Sequence, residues 1–531
     1  MSLRRHGRIS APAVIAVILY CANFLAAQTA VVTYHYDNNR TGWNSDETIL
    51  KPVNVSSPSF GMLTTIALDD QVDAQPLYVP NITITAGKFP GLHNVVYVVT
   101  ENDTVYAVDA DRGRILLSQN LGTPVVSPLG CNNNAPNVGI TSTPVIDPAS
   151  NTLYLIAYTQ DETGPAYRVH ALDLGSLTDK LPPQLISASH TLSNGTTFEF
   201  DATYQRQRPA LLEAGGNIYA GFGSFCDYSA SRSRGWLVGW NAATLAPLPS
   251  NEVFDTLASD QDSRFLASIW MSGYGPSTDD DGNIYVVTGN SDYSGNTYDG
   301  VNSIQESIIK LSSDLTTVLD LFTPSNQSTL DQEDLDFGSG GALVLPDQPG
   351  LLPHLVTAAG KDGNMYLMNG DNLGGYSPDG NAVLGTYPIG ACWCGQSYFQ
   401  GRDGTGRVVT SGGAQVSVWR VATNPEPVLK QVTTSARIRG GQNPGFFTTI
   451  SSNGENSPII WALSHPSSRQ SDSIFLYAFN PQSTGSMPIL FQGAAGSWPN
   501  VEGNSNLVPL VANGKVYVGS YQQLAIFGLK K

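Results

Sequence analysis

One phrase recurs through this chain: an apolar strand, a tight turn of Gly, Asn or Asp, and a second apolar strand. Val95-Val96-Tyr97-Val98-Val99 passes through Asn102-Asp103 into Val105-Tyr106-Ala107-Val108-Asp109. Gly282-Asn283 leads into Ile284-Tyr285-Val286-Val287, Gly363-Asn364 into Met365-Tyr366-Leu367, and Asn513-Gly514 into Lys515-Val516-Tyr517-Val518. Repetition at a long period constrains architecture before chemistry. A small sheet cannot bury both of its faces alone, so neighbouring units stack, and closing the stack into a ring leaves only short protected edges. Period-2 alternation such as Leu153-Tyr154-Leu155-Ile156-Ala157-Tyr158 is common, while long stretches of period 3.6 are hard to find. With 53 Gly, 33 Pro and only 13% charged residues, the composition suits many short strands joined by turns.

The strand clusters parse into eight units. They begin near Gln75, Ser142, Arg208, Gly275, Gly338, Arg407, Phe446 and Leu507. The last unit supplies three strands, near 507–511, 516–521 and 524–527, and then the sequence ends. The segment Gly61 to Leu68 has no other partner and is expected to complete it. The predicted fold is all-β: an eight-bladed β-propeller of four-stranded antiparallel blades, closed by an N-terminal strand and spanning 28–531. A seven-bladed ring with an irregular sixth unit is the alternative.

Arg4, Arg5 and Arg8 precede an apolar run from Ala11 to Leu25, followed by Ala26 and Ala27. This is the pattern of a secretory signal peptide over 1–27, too short for a membrane span. Tyr20 before Cys21 is wrong for lipoprotein processing. The mature protein is therefore expected to be secreted or periplasmic, with no membrane span. The formal net charge of −17 excludes nucleic acid as a natural partner. Four cysteines follow the leader, and an even number in an oxidising compartment favours disulfides. Cys131–Cys226 and Cys392–Cys394 are the expected bridges. No Cys-x-x-Cys-His, Gly-x-Ser-x-Gly or phosphate loop occurs, and the histidines show no metal spacing.

Val96-Tyr97-Val98-Val99-Thr100 followed by Val105 to Gly113 resembles the repeat of quinoprotein-like propellers, although Leu117 stands where that repeat carries a docking Trp. The likeness covers about 31–529 and sharpens in unit four. Trp270, then Thr288-Gly289-Asn290, then Phe322-Thr323-Pro324 and Asp334-Leu335-Asp336-Phe337-Gly338, then Gly360-Lys361-Asp362-Gly363 resemble, in order and spacing, the pattern of quinoprotein alcohol dehydrogenases. That family binds pyrroloquinoline quinone with calcium in a central funnel. By the resemblance Trp270 is the floor under the quinone. Asn290, Asp336 and Asp227 are calcium ligands, and Asp336 is also the catalytic base. Lys361 and Asp73 contact the cofactor. Besides Leu117, the chain departs from the family in two places. The family's adjacent-cysteine pair is absent, with Cys131 alone in its stretch, and Val138-Gly139 stands where a nearby Arg is expected.

The chemistry is coherent on its own terms. Calcium takes several hard oxygen ligands. A flat cofactor bearing carboxylates suits an aromatic face and a fixed cation. Removing an alcohol proton while hydride moves to a quinone suits a carboxylate beside a Lewis acid. Each residue also has an ordinary structural reading. Trp270 can pack between blades, Asn290 can be a turn residue, Asp336 can belong to a solvated acidic loop, and Lys361 can precede a hairpin turn. Asp279-Asp280-Asp281-Gly282 reads as a hairpin turn rather than a calcium loop. Two functions of different classes follow. One is an exported oxidoreductase for alcohols or sugars that passes electrons to an external acceptor. The other is a non-catalytic propeller binding a protein or glycan, with a relic cofactor site.

Overall fold

A computed structural model describes residues 28–131, 136–257, 266–294, 297–438, 444–466, 472–483, 485–501 and 505–530. The expected signal peptide lies outside the described residues.

The alternating apolar segments form eight sheets around one axis. Blade 1 has four antiparallel strands, Leu77–Ile84, Gly91–Val99, Thr104–Asp109 and Arg114–Asn120. Blades 2 to 7 follow over 145–185, 205–253, 277–323, 343–388, 397–435 and 448–497. Blade 8 joins Leu510–Ala512 and Lys515–Leu529 to the N-terminal strand Phe60–Gln71. Fifteen residues of straight strand would span about 50 Å. A Cβ on Gly528 would instead lie 3.2 Å from the Gly514 carbonyl, so Lys515–Leu529 doubles back on itself, with Gln522 at φ +53°. Blade 8 therefore has four strands, and its pairing of Phe60 with Leu529 closes the ring between the two ends of the chain.

Several blades carry more than the expected four strands. Gly375–Tyr376 runs parallel to the outer strand of blade 4, and Gly485–Met487 parallel to that of blade 6. Trp43–Asn44 pairs with the inner strand of blade 7. These two- and three-residue additions cover edges that would otherwise expose unpaired backbone groups. Between blades the faces are apolar. Tyr97 of blade 1 packs with Leu155 of blade 2, and Leu117 sits buried in the same cluster. Both expected disulfides, Cys131–Cys226 and Cys392–Cys394, are present.

Residues 31–44 form a strap across one end of the axis and touch every blade. Val31 bridges Tyr78 of blade 1, and Val32 accepts from Ile146 of blade 2. Asn38 donates to Glu213 of blade 3 and Asn39 to Thr278 of blade 4. Asn39 accepts from Val344 of blade 5, Thr41 from Tyr398 of blade 6 and Gly42 from Ile450 of blade 7. Asn44 donates to Val511 of blade 8. At its centre Arg40 is fully buried.

Candidate functional site

The inner segments of the blades run from a cavity to this strap. In blade 3, Arg208 lines the cavity and Glu213 meets the strap; in blade 4 the two positions are Trp270 and Thr278. In blade 5 they are Asp336 and Val344, and in blade 6 Trp393 and Tyr398. Cavity and strap thus meet these segments at different positions along the axis. The cavity measures about 390 Å³. Four residues singled out from sequence line it: Asp227, Trp270, Asp336 and Lys361.

The other two stand directly behind. The Asn290 backbone N–H donates to Asp336 Oδ1 at 2.7 Å, and its side-chain Nδ2 donates to Asp334 Oδ1 at 3.0 Å. Asp73 is buried and pairs with Arg208 Nη1 at 3.2 Å, while Gln71 Nε2 donates to its other oxygen at 2.8 Å. Asp336 is only 3% exposed, so it does not belong to a solvated loop. Lys361 does precede a turn, yet its ammonium points inward. It lies 2.6 Å from Asp336 Oδ2 and 3.1 Å from Asp334 Oδ1, and it sits over the rings of Trp270 at 5.6 Å and Trp393 at 5.3 Å. Asp279 accepts from its own turn at Asn283 and pairs with Lys310, as a hairpin turn does.

The Thr288-Gly289-Asn290 stretch needs its glycine. A Cβ there would meet Asp336 Oδ1 at 2.9 Å and Trp270 Nε1 at 3.2 Å. The missing side chain brings the backbone within hydrogen-bonding reach of Asp336 and so fixes its orientation.

This side of the cavity is rich in acid. Burial and the neighbouring Asp336 push the Asp227 carboxyl up to about 6, against a hydrogen bond from Ser224. Behind Asp336, burial and then the charges of Asp336 and Asp331 raise Glu306 well above the carboxylate range. Glu306 Oε2 accepts from the Phe337 N–H at 2.5 Å. Burial lifts Asp331 to about 7. Burial alone would lower the Lys361 pKa, but Asp336 and Asp334 outweigh it and hold the ammonium above its ordinary range. Among the described residues no group of three or more His, Cys, Asp or Glu is arranged to hold a metal ion. The hard-oxygen set of Asp227, Asp336 and Asn290 is of the type calcium takes, and Asp336 is among the causes that raise Asp227, after burial. On chemistry the donors fit such an ion. The cavity also offers what a flat carboxylated ring requires: two indoles, a lysine, two arginines, and Ser268, whose buried Oγ has no hydrogen-bond partner.

Arg206, Arg208, Ser268, Trp393 and Glu306 were not singled out as site residues from sequence. The signal for the arginines was their alternate spacing at the start of blade 3 in a chain with few charges. Trp393 was marked only by its flanking cysteines. Cys226 also lines the cavity, bringing the Cys131–Cys226 bridge to its edge.

An eight-bladed propeller with an axial cavity defines the architectural class. The fold is shared with the quinohemoprotein alcohol dehydrogenase of Comamonas testosteroni at TM-score 0.61 and 12% identity, over 95% of this chain and 82% of that one. A quinohemoprotein alcohol dehydrogenase of Pseudomonas putida HK5 matches at TM-score 0.59 and 12% identity, over 94% and 80%. A europium-containing methanol dehydrogenase matches at TM-score 0.59 and 11% identity, over 94% and 98%. No protein-family model matches the sequence, and no curated protein does.

Proposed function

We propose that this propeller is an exported oxidoreductase that holds pyrroloquinoline quinone and a calcium ion in its axial cavity. It oxidises an alcohol or sugar and passes electrons to a separate acceptor. The observation that carries the reading is convergence. Asp73, Asp227, Trp270, Asn290, Asp336 and Lys361 come from different segments of the ring, yet they line one cavity or directly support its walls. The quinone, when bound, supplies the two-electron acceptor. Trp270 and Lys361 would hold it, and Asp227, Asp336 and Asn290 would hold the ion. Asp336, fixed by the Asn290 N–H, takes the hydroxyl proton of the substrate.

One observation favours the non-catalytic reading. Both oxygens of Asp336 are already engaged, one by Lys361 and one by Asn290. Reconstitution with quinone and calcium, followed by dye-reduction assays across alcohols and sugars, tests between them. Turnover that falls in D336A and K361A supports the enzyme. Quinone binding without turnover on any substrate supports the relic scaffold, and turnover unchanged by either substitution refutes the site.

A further inference from the structure

We propose that Arg206 and Arg208 form an anion subsite on the blade 3 side of the cavity, which takes a carboxylate of the bound ligand. The proposal deepens the quinone reading and rests on it only for the ligand's identity. The chain lacks an arginine where the resemblance expects one, at Val138-Gly139, and the structure brings two in from another blade.

The two residues are separated by one position on extended chain, so their side chains leave the same face about 7 Å apart. Both line the cavity. Arg206 is the cross-strand partner of Gly223. A Cβ on Gly223 would meet Ser268 Cβ at 3.2 Å and Trp270 Cβ at 3.3 Å. Directly opposed residues of an antiparallel pair project to one face, so Arg206 projects on the side of Ser268 and Trp270. Ser268 is buried, with its hydroxyl unsatisfied at the cavity wall. Arg208 is held in place by Asp73. Burial and the adjacent Arg208 charge lower Arg206 to about 10, against the charges of Glu101 and Asp73. A carboxylate there faces both guanidiniums and gives Ser268 an acceptor. Guanidinium is the side chain best matched to a carboxylate in geometry.

The test is calorimetric titration with three probes: pyrroloquinoline quinone, its trimethyl ester, and benzene-1,2,4-tricarboxylate. The wild type is expected to bind the free quinone and the tricarboxylate. Tenfold or weaker binding of both is expected in R206Q and R208Q, while the ester binds wild type and variants alike. R208Q strips Asp73 of its partner, so R208K and the unfolding temperature of each variant separate lost binding from lost folding; if R208Q does not fold, R206Q decides. Tricarboxylate binding that depends on the arginines, with no quinone binding, keeps the subsite and ends the quinone reading. Free-acid binding unchanged in R206Q and R208Q overturns the subsite, as does a wild type that binds neither acid.

Discussion

The two levels of the axis each bury a cation, and they treat it in opposite ways. At the strap, Arg40 Nε donates to Pro276 O at 2.9 Å. Its Nη1 donates to Thr33 Oγ1 at 2.7 Å and Tyr34 O at 2.8 Å, and its Nη2 to Leu211 O at 3.1 Å. No ion-pair partner of Arg40 appears among the described residues. Its hydrogen bonds go to neutral oxygens from the strap, blade 3 and the start of blade 4. At the cavity, Lys361 faces two carboxylates and two indoles beside open volume. A buried charge saturated by backbone carbonyls acts as a rivet. A buried charge set against titratable groups at the edge of a cavity is available to a ligand.

The largest expected effect breaks the rivet. R40M leaves several buried carbonyls without donors and costs about 3 kcal/mol or more. Denaturant unfolding should show this as a much earlier midpoint or as loss of soluble protein. The second acts on the cavity alone. D336N should lower quinone-dependent dye reduction by about 10²- to 10⁴-fold, while the unfolding temperature moves by only a few degrees.

K361M should be intermediate. It strands Asp336 and Asp334 without their cation and costs about 1–3 kcal/mol at pH 7.5. Thermal unfolding of the variant at pH 7.5 checks it.

The smallest effect is a pH dependence of the wild type. Asp227 at about 6 and Asp331 at about 7 lie above the ordinary aspartate value of about 3.9. A raised acid binds its proton more tightly in the folded state. Its penalty is therefore full above the folded pKa and is relieved as pH falls towards the unfolded one. The unfolding temperature should rise from pH 7.5 to 5.5, and D227N should reduce that rise. Added calcium should stabilise more at 7.5, where Asp227 is charged, than at 5.5.

The sequence carried the ring more completely than the cavity. Strand–turn–strand repetition is local, so eight units and the closing role of Gly61 to Leu68 were legible from it. The strap was not, because its contacts join residues 31–44 to partners scattered over the next 470 positions, and no period announces them. The parallel pairs at Trp43–Asn44 and Gly375–Tyr376 are too short to leave an alternation. Trp270, Asp336 and Lys361 at the cavity, and Asn290 behind it, were singled out by their resemblance in order and spacing to quinoprotein alcohol dehydrogenases. Arg206 and Arg208 were not, because alternate charges on a strand do not say whether their face looks at solvent or at the axis. Only the Gly223 and Ser268 neighbours settle that.

The measurement that bears most directly on the central claim is a crystal structure of the protein grown with pyrroloquinoline quinone and calcium chloride. The account predicts a planar ligand stacked on Trp270, its carboxylates towards Arg206 and Arg208, its oxygens at Lys361, and a cation on Asp227 and Asp336. A cavity holding only water at saturating quinone, or quinone bound elsewhere on the ring, would contradict it.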